Sequence, residues 1–238
     1  VALILETGRE KVQNVGRSQT RILPRRTTMQ NCRLSAALTA AGACAIAAVI
    51  LAATPARAAE ELAIGAKGPS FNLKGTDGEM YALDAVKGEK GTAVVFTCNE
   101  CPYSKGYEDR LISLAKAYQP KGISFVAINP NDPKVVPGDA FEFMVTRDRE
   151  KGFPYPYVID ETQQIAAAYG AKVTPHIFLL DASGTLVYRG RVDDSLKEDQ
   201  VKKRDFQAAL DALVAGGAVQ VAETKAFGCG VKWSKKTM

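Results

Sequence analysis

The chain has 238 residues, long enough for one domain with a full core. Its formal net charge of +5 belongs to one end: residues 1–58 hold 8 Lys/Arg and 2 Asp/Glu, leaving 23 and 24 for residues 59–238. The near-neutral remainder removes any charge-based case for a nucleic-acid partner, and there is no internal repeat that would point to a solenoid.

From Leu34 to Ala56 the chain carries no charge and is mostly Ala, Leu, Ile and Val, with Arg33 before it and Ala56-Arg57-Ala58 after it. A basic flank, an apolar run and a small-x-small end describe a secretory signal peptide, 29–58, cleaved after Ala58. The other reading is an uncleaved membrane anchor, the only route by which the chain would contact a membrane. Met29 is the natural start of such a leader, so residues 1–28, which begin at Val1, read as an over-extended N-terminus. Cys44 reads as a passive apolar residue within the run. The domain is then 59–238, with a C-terminal tail from about 220. Export into a bacterial periplasm would place it where disulfides persist. Three cysteines remain there: Cys98, Cys101 and Cys229.

In chain order, Leu62 to Pro69 is a lead-in. Phe71-Asn72-Leu73 and Met80 to Leu83 flank Gly75-Thr76-Asp77-Gly78, which predicts a hairpin. Thr92 to Phe96 is a continuous apolar strand. Tyr107, Leu111, Leu114, Ala115 and Tyr118 recur at spacings of three and four, which predicts a helix over 103–118. Ile123 to Ile128 is a second buried strand, and strand, helix and strand together make a parallel βαβ unit. Asn129 to Pro133 is a loop at its carboxyl end, beside the cysteines if the sheet is parallel. Phe141 to Arg149 reads as a helix with Asp139 as N-cap and Gly152 as stop. Tyr157 to Ile159 is a short strand and Glu161 to Tyr169 a helix. Val173-Thr174-Pro175-His176 leads into a strand over 177–180, a turn over 181–184 and a partner strand over 185–188. Val201 to Val214 is the last helix, with Lys202-Lys203-Arg204 on its solvated face. Arg189 and Arg191 read as surface charges. Cys229 and the one tryptophan, Trp233, lie in the tail.

The chemistry concentrates at Cys98-Asn99-Glu100-Cys101-Pro102, between the first apolar strand and the first helix. Two thiols two residues apart can close a disulfide ring and reopen it. A helix N-terminus favours a thiolate, so Cys98 is expected to stand exposed there as nucleophile, with Cys101 one turn inside as its resolving partner. Glu100 places a carboxylate between them, which opposes a thiolate and argues for a reducing or intermediate potential. Zinc would need two further ligands, and only Cys229 and His176 are on offer. His176 is otherwise expected to bond local backbone, and Cys229 to be a third redox thiol, an intermolecular link or a spare residue.

The order of parts resembles the thioredoxin fold, with Cys98-x-x-Cys101 after a strand and Thr174-Pro175 before one. Phe71-Asn72-Leu73, the hairpin and Asp160-Glu161-Thr162 are similar to the alkyl hydroperoxide reductase/thiol-specific antioxidant (redoxin) branch. Cys-x-x-Cys-Pro-Tyr, Tyr107-Glu108-Asp109-Arg110-Leu111, Ala127-Ile128-Asn129 and Tyr188-Arg189-Gly190-Arg191-Val192-Asp193-Asp194 resemble an exported, peroxiredoxin-like subfamily. The resemblance covers roughly Leu62 to Trp233. It implies a three-layer α/β/α sandwich with a mixed sheet and an N-terminal β-hairpin extension. It also implies a cis Pro175 whose loop faces both sulfurs, with Thr174 and Pro175 shaping a substrate groove. The implied activity is thiol–disulfide exchange through Cys98 and Cys101, without a cofactor or a metal. Its partners would be a thiol or disulfide substrate, protein or small molecule, and an electron donor that the sequence does not identify. Thr97, Glu100 and His176 are the candidate modulators. Thr97 stands where thioredoxin has Trp, and Thr92 where it has a buried Asp. Peroxiredoxins carry Thr or Ser three residues, and Pro seven residues, before the peroxidatic cysteine. Here those positions are Val95 and Gly91 for Cys98, and Cys98 and Val94 for Cys101. A thiol peroxidase is therefore the alternative rather than the first reading. From another class, a thioredoxin-fold copper-binding assembly factor would use two cysteines and His176.

Overall fold

Strand β3 (Gly91–Phe96) is buried along its whole length because both faces of the sheet are covered there. Its side chains alternate between two cores. Ala93 and Val95 face one cluster with Phe125, Ile177 and Leu179, while Val94 and Phe96 face another with Val126, Ile128 and Phe178. A strand covered on both faces reads as an unbroken apolar run, which is why Thr92 to Phe96 and Ile123 to Ile128 are so evident in the sequence.

The computed structural model describes residues 60–235. The leader expected over 29–58, the residues before it and Cys44 lie outside them. Among the described residues, no helix is long and apolar enough to cross a membrane.

Around β3 the sheet gathers β1 (Asn72–Gly75), β2 (Met80–Ala82), β4 (Ile123–Asn129), β5 (Tyr157–Ile159), β7 (His176–Asp181) and β8 (Leu186–Gly190). Their order is β2-β1-β5-β4-β3-β7-β8. The β3–β4 and β4–β5 pairs are parallel and the others antiparallel, so the sheet is mixed. The expected hairpin, β1 with β2, extends the β5 edge. A separate two-residue ladder joins β6 (Val173–Thr174) to β9 (Cys229–Gly230).

Helices α1 (Pro102–Tyr118) and α4 (Asp205–Val214) cover one face, through Tyr107, Leu111 and Ala115 from the first and Phe206, Ala209 and Leu210 from the second. Helix α2 (Phe141–Lys151) sets Met144 against Ala127, Tyr157 and Ile159. Helix α3 (Gln164–Tyr169) covers the opposite face with Ala166 and Tyr169. The result is the three-layer thioredoxin-like arrangement.

Three sequence expectations are corrected. Asp139 does not cap α2; Ala140 holds that place, and Asp139 sits in a 3-10 turn over Pro137–Asp139 with its carboxylate turned elsewhere. Lys202-Lys203-Arg204 is not a helix face, since α4 begins at Asp205; the Lys202 and Lys203 amides donate to Asp194 Oδ1 at 2.8 and 3.0 Å. Arg189 and Arg191 are not free surface charges. Arg189 pairs with Glu223 at 2.9 Å and Arg191 with Asp205 at 2.7 Å, both largely buried.

The Tyr107-Glu108-Asp109-Arg110 motif acquires a structural reason. Tyr107 donates to Asp193 Oδ1 at 2.9 Å and Arg110 bridges Asp193, which fastens α1 to the loop after β8. Glu108 accepts two bonds from Arg147, which fastens α1 to α2.

Candidate active site

Five residues, Thr97 to Cys101, connect the end of β3 to the start of α1. Pro102 is the first helical residue, a position where its missing N–H costs nothing and its fixed φ is already helical. Cys101 is consequently the N-cap, with extended φ and ψ of −73° and 121°. Cys98 lies three residues earlier, in the connection itself. This corrects the expected order: Cys98 is not exposed at the helix start, and Cys101 is not one turn inside. Both are buried, at 2% and 4% exposure. The signal for the correct placement was Pro102, read as N1.

Asp139 shapes this connection. Its fully buried carboxylate accepts the Asn99 amide at 2.7 Å and the Glu100 amide at 3.0 Å through Oδ1. Its Oδ2 accepts Asn131 Nδ2 at 2.7 Å. Asn99 is further held by Tyr157, whose hydroxyl donates to Asn99 Oδ1 at 2.9 Å, and by Gly138, whose carbonyl accepts its amide. Asn129 Nδ2 donates to the Asp139 carbonyl at 3.0 Å. A buried carboxylate is tolerated when such N–H groups surround it. Sequence reasoning placed the Asn129 to Pro133 loop beside the cysteines but missed Asp139 as the group that joins them. An Asp just before a helix reads as a cap, and nothing local distinguishes the two roles.

The Thr174–Pro175 bond is cis, and Thr174 faces both sulfurs. Its Oγ1 lies 3.2 Å from Cys98 Sγ, and its carbonyl accepts from the Cys101 thiol at 3.0 Å. Ser104, in the first turn of α1, stands 4.0 Å from Cys98 Sγ. The two cysteines, Thr174 and Pro175 therefore meet at one place, as the resemblance implied.

The two thiols share one hydrogen bond and titrate as a pair. The Cys101 thiol donates to the Thr174 carbonyl, an oxygen that disfavours a thiolate, whereas the Thr174 and Ser104 hydroxyls can both donate to Cys98 Sγ. Beyond the shared bond, burial and the Asp139 charge oppose ionisation of Cys98. The carboxylate that opposes ionisation of Cys98 is Asp139, not Glu100. Glu100 is exposed and reaches Lys105 at 3.5 Å.

Thr97 and Cys98 line a small enclosed cavity together with Glu108, Ala127, Tyr155 and Tyr157. Its volume of about 10 Å³ holds roughly one water. His176 is not brought to the sulfurs. Its Nδ1 accepts the Lys172 amide at 3.4 Å and its ring lies 4.5 Å from that of Phe178. Burial, then the charges of Arg189 and Lys172, lower its pKa to about 4. Among the described residues, no group of three or more His, Cys, Asp or Glu is arranged to hold a metal ion.

The third cysteine does come to the site. Cys229 stands opposite Thr174 in the β6–β9 ladder, and its thiol interacts with the Cys101 sulfur.

A dithiol at a strand-to-helix junction, under a loop whose Thr and Pro face it on a mixed sheet, defines a thioredoxin-like protein. The chain belongs to the AhpC/TSA family, whose profile matches residues 64–189. It is 30% identical over 127 residues to the thiol-disulfide oxidoreductase ResA of Geobacillus thermodenitrificans, a match covering 52% of this chain and 66% of that one. The chain thus spans just under two thirds of that relative. Among solved structures it is similar to a conserved, uncharacterized protein of Geobacillus kaustophilus, with 40% identity and a TM-score of 0.70 over 73% of this chain and 93% of that one. A hypothetical protein of Sinorhizobium meliloti shows 31% identity and a TM-score of 0.69 over 74% and 97%. The class these relatives support is an oxidoreductase acting on thiols and disulfides.

Proposed function

We propose that this chain is an exported thiol–disulfide oxidoreductase in which Cys98 is the attacking thiolate and Cys101 resolves. The observation that carries the assignment is the pair of hydroxyls at Cys98 Sγ, Thr174 Oγ1 at 3.2 Å and Ser104 Oγ at 4.0 Å, while the Cys101 thiol donates to the Thr174 carbonyl at 3.0 Å. Export is supported by the leader pattern over 29–58 and by the redox use of cysteine outside the cytosol.

The Cys98 thiolate attacks one sulfur of a substrate disulfide. A mixed disulfide forms, and the other substrate sulfur leaves as a thiolate that takes up a proton. Cys101 then gives its proton to water and attacks Cys98 Sγ, expelling the second substrate thiolate, which is protonated in turn, and closing the Cys98–Cys101 disulfide. Two electrons pass from the dithiol to the substrate. A thiol donor returns them, and the same steps reversed oxidise a substrate dithiol. Thr174 and Pro175 shape the groove, and the β6 backbone that would pair with an extended peptide is paired with β9, which such a substrate would displace.

Reaction with oxidised glutathione tests the roles. Cys101→Ser should accumulate glutathione on Cys98, and Cys98→Ser should take up none at Cys101 at pH 7. The opposite labelling would reverse the two roles. The site favours exchange over a peroxidase, since the polar groups beside the sulfurs are the Thr174 and Ser104 hydroxyls and the Thr174 carbonyl.

A further inference from the structure

We infer that Thr174 links the redox state of the cysteine pair to the docking of the C-terminal tail, so that β9 is held more firmly when the Cys98–Cys101 disulfide is closed than when both thiols are free. The inference rests on the exchange reading above, which supplies the two states.

Thr174 stands between the sulfurs and the tail and offers the same polar groups to both. On its inner side, Oγ1 lies 3.2 Å from Cys98 Sγ, and the carbonyl accepts from the Cys101 thiol at 3.0 Å. On its outer side, Thr174 is paired with Cys229 in the β6–β9 ladder, and the same Oγ1 donates to the Cys229 carbonyl at 3.5 Å. A hydroxyl has one proton, so Oγ1 cannot serve the attacking Cys98 thiolate and the Cys229 carbonyl at once. The thiolate has the stronger claim, because a charged acceptor forms the stronger bond. The distances agree, since 3.5 Å to a carbonyl is long for a hydroxyl donor.

Closing the disulfide withdraws the inner claim on both groups. The Cys101 thiol proton leaves, so the Thr174 carbonyl loses its inner donor. The Cys98 charge leaves as well, so Oγ1 loses its charged acceptor. A disulfide sulfur carries neither a proton nor a charge to replace them. Thr174 is fully buried, and a buried polar group left without a partner is costly. The partner within reach is β9. The hydroxyl turns to the Cys229 carbonyl, and the Thr174 carbonyl is left to the backbone opposite it.

The tail is fastened so that such a change stays local. Before the ladder, the Phe227 ring packs edge-on against Tyr103, 6.0 Å away. After it, the Lys232 amide donates to Asn131 Oδ1 at 2.8 Å, and the Ser234 amide donates to Gln163 Oε1 at 2.7 Å. None of these bonds involves a cysteine. Between them, Gly228 lets the chain lie directly on the Thr174 carbonyl, where a Cβ would collide. The Val231 amide continues the contact to the Lys172 carbonyl at 3.1 Å. The span 228–231 therefore tightens and loosens between fixed ends. The coupling is reciprocal: a tail that holds the disulfide form more firmly stabilises that form, and the dithiol becomes a stronger reductant by the same factor.

The test is hydrogen exchange read by mass spectrometry, on the unsubstituted chain held in reduced or in oxidised dithiothreitol, with the Cys98–Cys101 bond checked by peptide mapping. Amides of the span 228–231 should exchange severalfold more slowly in the disulfide form. Thr174→Val, which removes the hydroxyl, should shrink that difference, and Thr174→Ser should keep it. Gly228→Ala, which lifts the span in both states, should move the potential in the oxidising direction. A tenfold difference in docking between the two states corresponds to about 30 mV. Equal exchange in the two states of the unsubstituted chain, or slower exchange in the dithiol, would overturn the inference while leaving Cys98 as the nucleophile. If no Cys98–Cys101 disulfide formed in any dithiothreitol buffer, the exchange reading itself would fall.

Discussion

Cys98 and Cys101 meet different groups of Thr174, the hydroxyl for the first and the carbonyl for the second. Reactivity toward an alkylating reagent should show this split, because only a thiolate attacks. Iodoacetamide at pH 7 should label Cys98 severalfold faster than Cys101, and Thr174→Val, which removes the hydroxyl, should narrow that ratio. Faster labelling of Cys101 in the native chain would reverse the two roles. His176 gives a second prediction at this scale. Its native pKa of about 4 lies below the unfolded value of about 6.5, chiefly because its site excludes charge. The unfolded chain therefore binds the extra proton between those values, and stability must fall as pH drops through that window. The effect approaches roughly 3 kcal/mol near and below the native pKa. Urea unfolding at pH 7 and pH 4 should show it in the native chain, and His176→Phe should lack that part of the slope. Both residues were visible in the sequence as chemistry, but their environments were not. Glu100 looked like the charge beside the thiols because it is adjacent in sequence. Asp139, 40 residues beyond Asn99, is the charge that faces them.

The connection from β3 to α1 is held less by its own residues than by the segment before α2. Asp139 is fully buried and accepts two amides of that connection and one side-chain amide from the β4 loop. Replacing it with Ala leaves buried N–H groups unmatched, and bonds to a charged acceptor are worth about 1.5–3 kcal/mol each. Asp139→Ala should cost about 3 kcal/mol or more in urea unfolding, and Asp139→Asn, which keeps an acceptor, clearly less. The Asn variant should also make Cys98 easier to ionise, since the Asp139 charge opposes its thiolate. If both variants unfolded at the native midpoint, the connection would be held by something else. Elements longer than a few residues were legible because burial on both faces, or a stripe at spacings of three and four, marks them directly. β3, β4, β5 and α1 appear within a residue or two of where the pattern places them. β6 and β9 were not legible, since each has two residues and only the pairing across 55 positions makes them strands. The start of α4 was misplaced because Asp194, before the helix, captures the Lys202 and Lys203 amides in an extended run.

At the scale of the whole molecule, the site is assembled from four stretches of chain, and the last of them closes it. β3–α1 supplies Cys98 and Cys101, the Asn129 to Asp139 segment supplies the cradle, β6 supplies Thr174, and the tail supplies Cys229. The first and third were legible as a pair, because strand, helix and Thr-Pro occur in the thioredoxin order. The contribution of the tail was not, because a glycine-flanked cysteine carries no periodicity to place it. β9 lies on the strand that faces both sulfurs, so access to them depends on how firmly it holds to β6. A methyl group at Gly228 has no room against the Thr174 backbone and cannot be relieved by turning a flexible side chain. Gly228→Ala should therefore lift β9 while leaving the anchors at Lys232, Trp233 and Ser234 in place. Overpacking of this kind costs about 1–3 kcal/mol, so the chain should remain folded but less stable. Two readings of the tail then diverge. If it covers the substrate edge, Gly228→Ala should speed iodoacetamide labelling of Cys98 severalfold at pH 7, since access to a buried sulfur limits the rate. If β9 were a fixture with no bearing on access, the rate would stay at the native value despite the lost stability. Measuring labelling and urea unfolding on the same preparation separates the two, because global unfolding would expose Phe206 and the α1 stripe as well and would label Cys98 at the same rate as Cys101.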